Sequence, residues 1–343
     1  MPGNYSIKRI TVAQTKVFAT EKLCYPKVYA TQTTGQSKSE EATFEESMRS
    51  SVNSGSQLRS NPIGVVLVLT SLLAIAPFGV RPSVASQSNG VDHKPLLIAH
   101  RGGAQESTEN TIAAFQRAAR IGADGIETDV RLTRDGVVVV YHDEYFGRVE
   151  GLPERQRTRL ISDLTYSEVT AQTLIPVGDD NGSRRVPTLD ELLGSVKSGL
   201  LNIELKQGAR FDELVKKTIK ALRGFPELDR VVLETPNLET AQKAREALGP
   251  RLKLHINPGY DGTVPFLQSL ERVLKFKPHS VSVSYKKLSR EIIELAHNAG
   301  VEVWVWTVNS PDIAQAMALL GVDAIKTDRP TALFDLLRTS RRR

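Results

Sequence analysis

The sequence predicts an eight-stranded parallel β/α (TIM) barrel with a β-hairpin excursion after the second strand. Between residues 94 and 338, eight short β-rich runs alternate with helical patterns, which is typical of a parallel sheet. The span is close to the roughly 250 residues that such a barrel needs. An open doubly wound sheet is the alternative, but no glycine-rich phosphate loop opens a helix in this sequence.

The strand segments are recognised by their content of β-forming residues and by the helical patterns between them. The predicted strands are Leu96–His100, Gly125–Val130, Leu201–Lys206, Val231–Thr235, Leu252–Asn257, Ser280–Ser284, Glu302–Asn309 and Ala324–Asp328. Apolar residues at helical spacing predict helices at Thr111–Ile121, Asp190–Val196, Phe211–Leu222, Leu238–Leu248, Pro265–Phe276, Arg290–Ala299, Asp312–Leu320 and Thr331–Arg338.

A ninth β-rich segment, Val137–His142, lies too close to the second strand to be its parallel neighbour, because a parallel crossover needs a dozen or more residues. The Asp-Gly dipeptide at 135–136 is a strong two-residue hairpin turn. We therefore predict an antiparallel hairpin over Arg131–Val140. Continued from this turn, the register places Asp129 directly opposite His142, with their Cβ atoms about 4.5–5.5 Å apart.

The first 92 residues have a different composition. Residues 1–58 are rich in Ser, Thr, Gln and Lys without a hydrophobic period, and we expect them to be disordered. Residues 59–86 contain an apolar run, which predicts a signal peptide or a membrane anchor. A chain started at Met48 has a basic head, an apolar core and small residues at a cleavage site.

A buried helix of a soluble domain is the third possibility for this run, and Pro77 disfavours it. The first two possibilities place the barrel outside the cytoplasm, either exported to the periplasm or extracellular space or anchored at a membrane. Membrane association through the apolar segment is therefore an expected property of the chain.

The formal charge of the chain is +6, but its distribution argues against a nucleic-acid groove. Residues 1–92 hold nine Lys or Arg and six Asp or Glu, and the basic tail at 339–343 carries three arginines. The rest of the chain is therefore neutral. Cys24 is the only cysteine, so the barrel offers no thiolate for a zinc site.

Acidic residues lie at the carboxyl ends of predicted strands, where catalytic groups of β/α barrels are found. Glu127 and Asp129 share one strand face because strand side chains alternate, and Glu204 lies on the next barrel strand. Three converging carboxylates repel one another unless a cation lies between them. Oxygen ligands alone suit Ca²⁺ or Mg²⁺, so these residues are candidate ligands of one divalent cation.

Basic residues accompany these acids. His100 and His142 lie at strand ends and suit a general base and a general acid. Arg101 and Lys206 can hold phosphate oxygens. The expected neighbour Asp129 would favour the imidazolium form of His142, which makes His142 the proton donor and His100 the base. Together these groups predict a phosphodiester site.

The same residues resemble the glycerophosphodiester phosphodiesterase family. The motifs that carry the resemblance are His-Arg-Gly (100–102), Glu-Asn-Thr (109–111), the segments 122–130 and 133–136, His-Asp (142–143), Pro-Thr-Leu (187–189), Glu-x-Lys (204–206), Trp-Thr-Val-Asn (306–309) and Thr-Asp-Arg-Pro (327–330). The sequence departs from the family pattern with Thr108 in place of proline and with Glu-Thr-Pro at 234–236 in place of a Ser-Phe pair.

The resemblance implies hydrolysis of a glycerophosphodiester to glycerol 3-phosphate and an alcohol. It assigns catalytic roles to His100 and His142, and it places Trp306 at the substrate rim. It also implies the metal ligands and phosphate contacts named above. We expect Glu109 and Asn110 to cap the following helix or to anchor Arg101.

Other functions remain as alternatives. A lysophospholipase D-type activity on lysophospholipids needs the same site chemistry. A relative of the phosphatidylinositol-specific phospholipases C would share the fold, but many of those enzymes use cationic residues instead of a metal. A non-catalytic binding barrel should lack a histidine or an acid of the set, and none is missing.

Overall fold

The structure, a computed structural model, describes residues 94–178, 182–259 and 264–339. Eight parallel strands form a closed barrel, because β1 pairs with β2 on one side and with β9 on the other. The predicted fold class is confirmed. The strands are β1 (Leu96–Ala99), β2 (Gly125–Leu132), the hairpin strand β3 (Val138–Val140), β4 (Leu200–Leu205), β5 (Val231–Thr235), β6 (Lys253–Ile256), β7 (Ser280–Ser284), β8 (Glu302–Trp306) and β9 (Ala324–Thr327).

The helices connect successive barrel strands and cover the outside of the sheet. They are α1 (Ile112–Arg120), α2 (Tyr166–Thr170), α3 (Leu189–Ser195), α4 (Phe211–Arg223), α5 (Leu238–Leu248), α6 (Phe266–Phe276), α7 (Arg290–Asn298), α8 (Pro311–Leu320) and α9 (Pro330–Thr339). Every predicted helix is present, and only α2 was not predicted. The N-cap of α1 is Thr111, whose hydroxyl accepts a hydrogen bond from the Ala114 N–H.

The hairpin forms, but its predicted register is wrong by one residue. Val130 pairs with Val140 and Leu132 with Val138, so Tyr141 rather than His142 lies opposite Asp129. The Tyr141 N–H donates to the Asp129 carbonyl at 3.0 Å. The count of eight barrel strands still holds, because β3 pairs with β2 in the antiparallel direction while β2 continues in parallel to β4.

The register differs because the turn has three residues, 134–136, instead of two. Gly136 adopts a φ of +80°, and its N–H donates to the Thr133 carbonyl at 3.0 Å. This matches a three-residue hairpin loop that ends in a left-handed glycine. The Asp135 carboxylate accepts from the Thr133 hydroxyl and from the Tyr166 N–H, which fixes the loop against the start of α2.

A hydrophobic cluster covers the hairpin. The segment between β3 and α3 folds over it through buried side chains of Val139, Tyr141, Phe146, Val149, Ile161, Leu164, Val169, Leu174 and Val186. The regular ladder ends at Val140, and the buried cluster holds the chain that follows. His142 and Arg148 therefore have a fixed position above the barrel.

The barrel interior contains an apolar cluster on the side nearer the amino ends of the strands. Ile98, Val232, Trp304 and Ala324 form a buried cluster there, so Trp304 is a core residue. His255 stacks on Trp304 with ring centroids 4.9 Å apart, and burial lowers its pKa to about 3. Further up each strand, the alternating inward positions carry polar residues, and these reach the carboxyl ends of the strands.

The predictions for residues 1–58, for the apolar segment at 59–86 and for residues 340–343 of the basic tail lie outside the described residues. In the ranges that the structure describes, no helix combines the length and the apolarity required to cross a bilayer.

Candidate active site

The three predicted acids converge at the carboxyl ends of β2 and β4. One oxygen atom from each of Glu127, Asp129 and Glu204 lies within 4.8 Å of the others. Asp129 and Glu204 are direct partners in the parallel register, and Glu127 lies two positions earlier on the same face of β2. Glu127 and Asp129 are fully buried, whereas Glu204 faces the pocket.

The electrostatics of the cluster are those of crowded carboxylates. Burial and the neighbouring Glu234 raise the pKa of Glu204 to about 7, and burial with Asp129 raises the pKa of Glu127. The pKa of Asp129 is lowered because Lys206 and other cations outweigh its burial. Asp129 Oδ1 is nevertheless buried without a hydrogen-bond partner among the described residues. A buried carboxylate oxygen that accepts no hydrogen bond and lies close to two other carboxylates fits a divalent cation.

Two cations flank the cluster, as predicted. The backbone N–H of Arg101 donates to Glu127 at 2.9 Å, and the guanidinium Nε of Arg101 lies 3.6 Å from Asp129. Lys206 Nζ lies 2.8 Å from Glu204 and 3.4 Å from Asp129. Although burial lowers the pKa of both cations, these carboxylates raise it above the ordinary value. Both side chains therefore remain positive and can hold phosphate oxygens.

His100 forms a dyad with Asp328. Its Nδ1 lies 2.6 Å from Asp328 Oδ1, and its Nε2 lies 3.8 Å from Glu127. Asn309 fixes Asp328 by donating from Nδ2 to its carboxylate and by accepting from its N–H, both at 2.9 Å. Burial lowers the pKa of His100, but Glu127 and Asp328 outweigh burial, so the net shift is upward.

His142 forms the second dyad, with Asp143. Its Nδ1 lies 2.7 Å from Asp143, which accepts from Arg148 Nε at 2.7 Å. Arg148 also donates to Glu109 at 2.8 Å, and Glu109 accepts from Arg101 at 3.2 Å. This chain of ion pairs joins His142 in the covering segment to Arg101 in the barrel, next to His100 in the sequence.

The directions of the two pKa shifts run opposite to the predicted roles of the histidines. Burial lowers the pKa of His142 and outweighs the nearby carboxylates, whereas the pKa of His100 is raised. The prediction depended on Asp129 lying directly opposite His142, and the hairpin register places Tyr141 there instead.

These groups surround one pocket of about 330 Å³. Its lining residues in the described part of the chain are His100, Arg101, Glu127, His142, Glu204, Lys206, Glu234, Asn257, Ser282, Trp306, Thr307 and Lys326. The structure therefore brings all the predicted site residues together, with Asp129 buried beneath the acids that line the wall. Trp306 lies on the pocket wall at the end of β8, and its place at the substrate rim stays a prediction.

Sequence reasoning missed several residues that hold the site. Glu109 anchors Arg101, which was one of its two predicted roles, while Asn110 donates to Asp129 at 2.9 Å instead of capping α1. Arg148 gave no signal, because it lies in a covering segment without a strand or helix pattern. Asp143 and Asn309 belong to the quoted motifs. Asp143 follows His142 directly, which was an available signal, whereas Asn309 lies 19 positions from Asp328 and no local pattern links them.

A β/α barrel with paired histidines, clustered acids and two cations at the carboxyl ends of its strands defines a hydrolase of phosphoric diesters. The chain belongs to the glycerophosphoryl diester phosphodiesterase family, whose sequence profile matches residues 100–332. The predicted family and enzyme class are therefore confirmed.

Relatives and solved structures agree with this assignment. A glycerophosphodiester phosphodiesterase of Caldanaerobacter subterraneus is 34% identical over 252 residues, which cover 71% of this chain and 98% of that protein. The human lysophospholipase D GDPD1 is 30% identical over an alignment that covers 70% of this chain and 85% of that protein. The crystal structure of a glycerophosphodiester phosphodiesterase from Thermotoga maritima matches with a TM-score of 0.58 at 27% identity, covering 71% of this chain and 99% of that one.

Proposed function

We propose that this enzyme hydrolyses glycerophosphodiesters to glycerol 3-phosphate and an alcohol with one divalent cation bound. The observation that carries the proposal is the convergence of three carboxylates, two cations and two histidine dyads on one pocket. The name of the relative from Caldanaerobacter supports the same substrate class.

Glu127, Asp129 and Glu204 would hold the cation, which is Ca²⁺ or Mg²⁺ because all the donors are carboxylate oxygens. When bound, the cation polarises a phosphoryl oxygen and neutralises the charge that develops on it. Arg101 and Lys206 bind the other phosphate oxygens and orient the diester in the pocket.

The two histidines transfer the protons. His142, with its lowered pKa, accepts the proton of the attacking hydroxyl, and His100, with its raised pKa, donates a proton to the leaving oxygen. Asp143 and Asp328 each bind the Nδ1 side of one ring, so Nε2 is the nitrogen left for the substrate. The attacking hydroxyl is either water or a hydroxyl group of the substrate itself.

Chelation tests the metal assignment. Activity on glycerophosphocholine should disappear in excess chelator after exhaustive dialysis and return when Ca²⁺ or Mg²⁺ is added. A protein that turns over fully in chelator would contradict the assignment. The same assay with lysophosphatidylcholine tests lysophospholipase D activity, the second candidate, which the name of the human relative favours.

We also propose that the barrel functions outside the cytoplasm, because the apolar run before it fits an export signal or an anchor. If translation starts at Met48 and the signal is cleaved, mass spectrometry of the native protein should show a mature start near Ser86. A native protein that retains Cys24 would contradict cleavage.

A further inference from the structure

A second pair of opposite charges lies inside the barrel and has no part in the mechanism above. Lys326 on β9 donates from Nζ to Glu234 on β5 at 2.6 Å, and both residues line the pocket. They are 3% and 4% exposed. Glu234 is the direct register partner of Glu204, so the pair borders the acid cluster.

Stability of the fold does not explain this pair. Two positions earlier on the same strands, Val232 and Ala324 belong to a buried apolar cluster. A buried ion pair must offset the loss of hydration of two charges, and apolar residues of similar size are often as stable. Charges that replace the next apolar layer, where that layer meets a pocket, therefore indicate a ligand.

The wall around the pair is polar as well. Asn257 and Ser282 line it, and the Nε1 of Trp306 is buried without a hydrogen-bond partner among the described residues. Glu234 and Lys326 contact each other directly through a carboxylate oxygen and Nζ. The carboxylate accepts hydrogen bonds from hydroxyl groups, and the ammonium group donates to them.

The lining also argues against an acyl chain. Of the lining residues that the structure describes, Trp306 alone has a large apolar side chain, and most of the others carry charge. An alkyl chain placed there would remove charged groups from water without pairing them, which is unfavourable. Neighbouring strands are about 4.8 Å apart, so a phosphate at Glu204 brings its glycerol within reach of Glu234.

We propose that Glu234 and Lys326 form a hydroxyl-binding subsite for the free hydroxyl groups of the substrate glycerol. The enzyme then acts on fully deacylated glycerophosphodiesters in preference to lysophospholipids. This inference rests on the proposed function, and it assigns to Glu234 and Lys326 the recognition of the glycerol rather than the cleavage of the phosphodiester bond.

Three substrates and four variants test the subsite. The substrates are glycerophosphocholine, monomeric 1-acyl-lysophosphatidylcholine and bis(4-nitrophenyl) phosphate, which has no hydroxyl group to bind. The variants are Glu234→Gln, Lys326→Met, the double variant with both changes, and the control Glu239→Gln, which removes one charge from the exposed Glu239–Lys243 pair on α5. The double variant leaves no buried charge unpaired, and thermal unfolding reports whether each variant is folded.

Wild-type enzyme should show a kcat/KM for glycerophosphocholine at least about tenfold above that for the lysophospholipid. Each subsite variant should raise the KM for glycerophosphocholine by about tenfold or more, the scale of one hydrogen bond to a charged group. In the double variant, whose net site charge equals that of wild type, the rate of water attack on bis(4-nitrophenyl) phosphate should fall far less than kcat/KM for glycerophosphocholine, because recognition of hydroxyl groups does not act on it. If wild type does not hydrolyse bis(4-nitrophenyl) phosphate, the corresponding readout is kcat on glycerophosphocholine, which should fall far less than KM rises. The control variant should match wild type on every substrate.

Two results would overturn the subsite alone. One is an equal loss on glycerophosphocholine and bis(4-nitrophenyl) phosphate in the folded double variant, which indicates a structural role. The other is a wild-type preference for the lysophospholipid. Absence of activity on all three phosphodiesters, with metal present, would instead overturn the proposed function and the subsite with it.

Discussion

The dyad between His100 and Asp328 permits a quantitative prediction. In Asp328→Asn the side chain keeps its shape and can still accept a hydrogen bond from the imidazole, but the negative charge is lost. The wild-type contact is 2.6 Å long, and both side chains are only 16% exposed. Solvent therefore screens the interaction weakly, and the charge of Asp328 acts directly on His100.

A hydrogen bond to a charged group contributes about 1.5–3 kcal/mol, and about 1.4 kcal/mol corresponds to a tenfold change in rate. If the dyad stabilises the imidazolium of His100 by this amount, its loss leaves about 10- to 150-fold less of the acid form above the His100 pKa, and kcat/KM on the alkaline limb should fall by about the same factor. The pKa of His100 is raised in part by Asp328, so it should fall in the variant. Since His100 must be protonated to act as the acid, the alkaline limb of the pH–rate profile should move to lower pH.

The assay is kcat/KM for glycerophosphocholine from about pH 5 to 10, an interval around the ordinary histidine pKa. The matched control is Asp229→Asn, which breaks an exposed ion pair with Arg251 at the opposite end of the barrel. The control should behave as wild type. A folded Asp328→Asn enzyme whose kcat/KM stays within twofold and whose alkaline limb does not move would refute the assigned role of the dyad.

Three further predictions follow from the geometry. His100→Ala and His142→Ala should each remain folded by circular dichroism and lower turnover by at least about a hundredfold, the usual scale for a lost acid or base; normal turnover would remove that histidine from the mechanism. Because the pKa of Glu204 is raised from 4.5 to about 7, a proton competes with the cation, and calorimetry should show Ca²⁺ affinity falling as pH drops below 7. The metal-free protein should lose stability as pH rises from 4.5 to 7, because the folded state binds the Glu204 proton more tightly than the unfolded chain and must give it up over this interval. The loss should reach up to about 3 kcal/mol, and thermal melts of Glu204→Gln should not show it. A Ca²⁺ affinity that does not change over this pH interval would contradict the raised pKa of Glu204. Equal melting temperatures of metal-free wild type and Glu204→Gln at pH 8 would contradict it as well.

The sequence allowed prediction of the barrel because strand and helix periods are local properties. Strand alternation placed Glu127 and Asp129 on one inner face, and the closed parallel sheet then brought Glu204 beside them. The hairpin register was not predictable at the same level. An Asp-Gly pair fits a two-residue turn, but the Asp135 carboxylate accepts hydrogen bonds from the Thr133 hydroxyl and from the Tyr166 N–H. Tyr166 lies thirty-one positions away, so no local pattern reports this contact.

The same limit explains the residues that were missed. Arg148 joins Asp143 to Glu109, and no strand or helix period relates Arg148 to either partner. Its position depends on how the covering segment packs, which no local period reports. The directions of the two histidine pKa shifts likewise depend on burial, which outweighs the carboxylates at His142 and does not at His100.

The charges around the pocket support the proposal that the site takes both a divalent cation and a diester. Four carboxylates face three cationic side chains in the barrel interior: Glu127, Asp129, Glu204 and Glu234 against Arg101, Lys206 and Lys326. The site alone therefore has one excess negative charge, and the proton held by Glu204 near neutral pH relieves it. If Glu127, Asp129 and Glu204 held a divalent cation in place of that proton, the excess would be one positive charge. A phosphodiester carries a single negative charge, so it restores neutrality, whereas a phosphomonoester product, which carries nearly two, exceeds it. This balance would favour binding of the diester and release of the phosphomonoester product that the proposed function assigns.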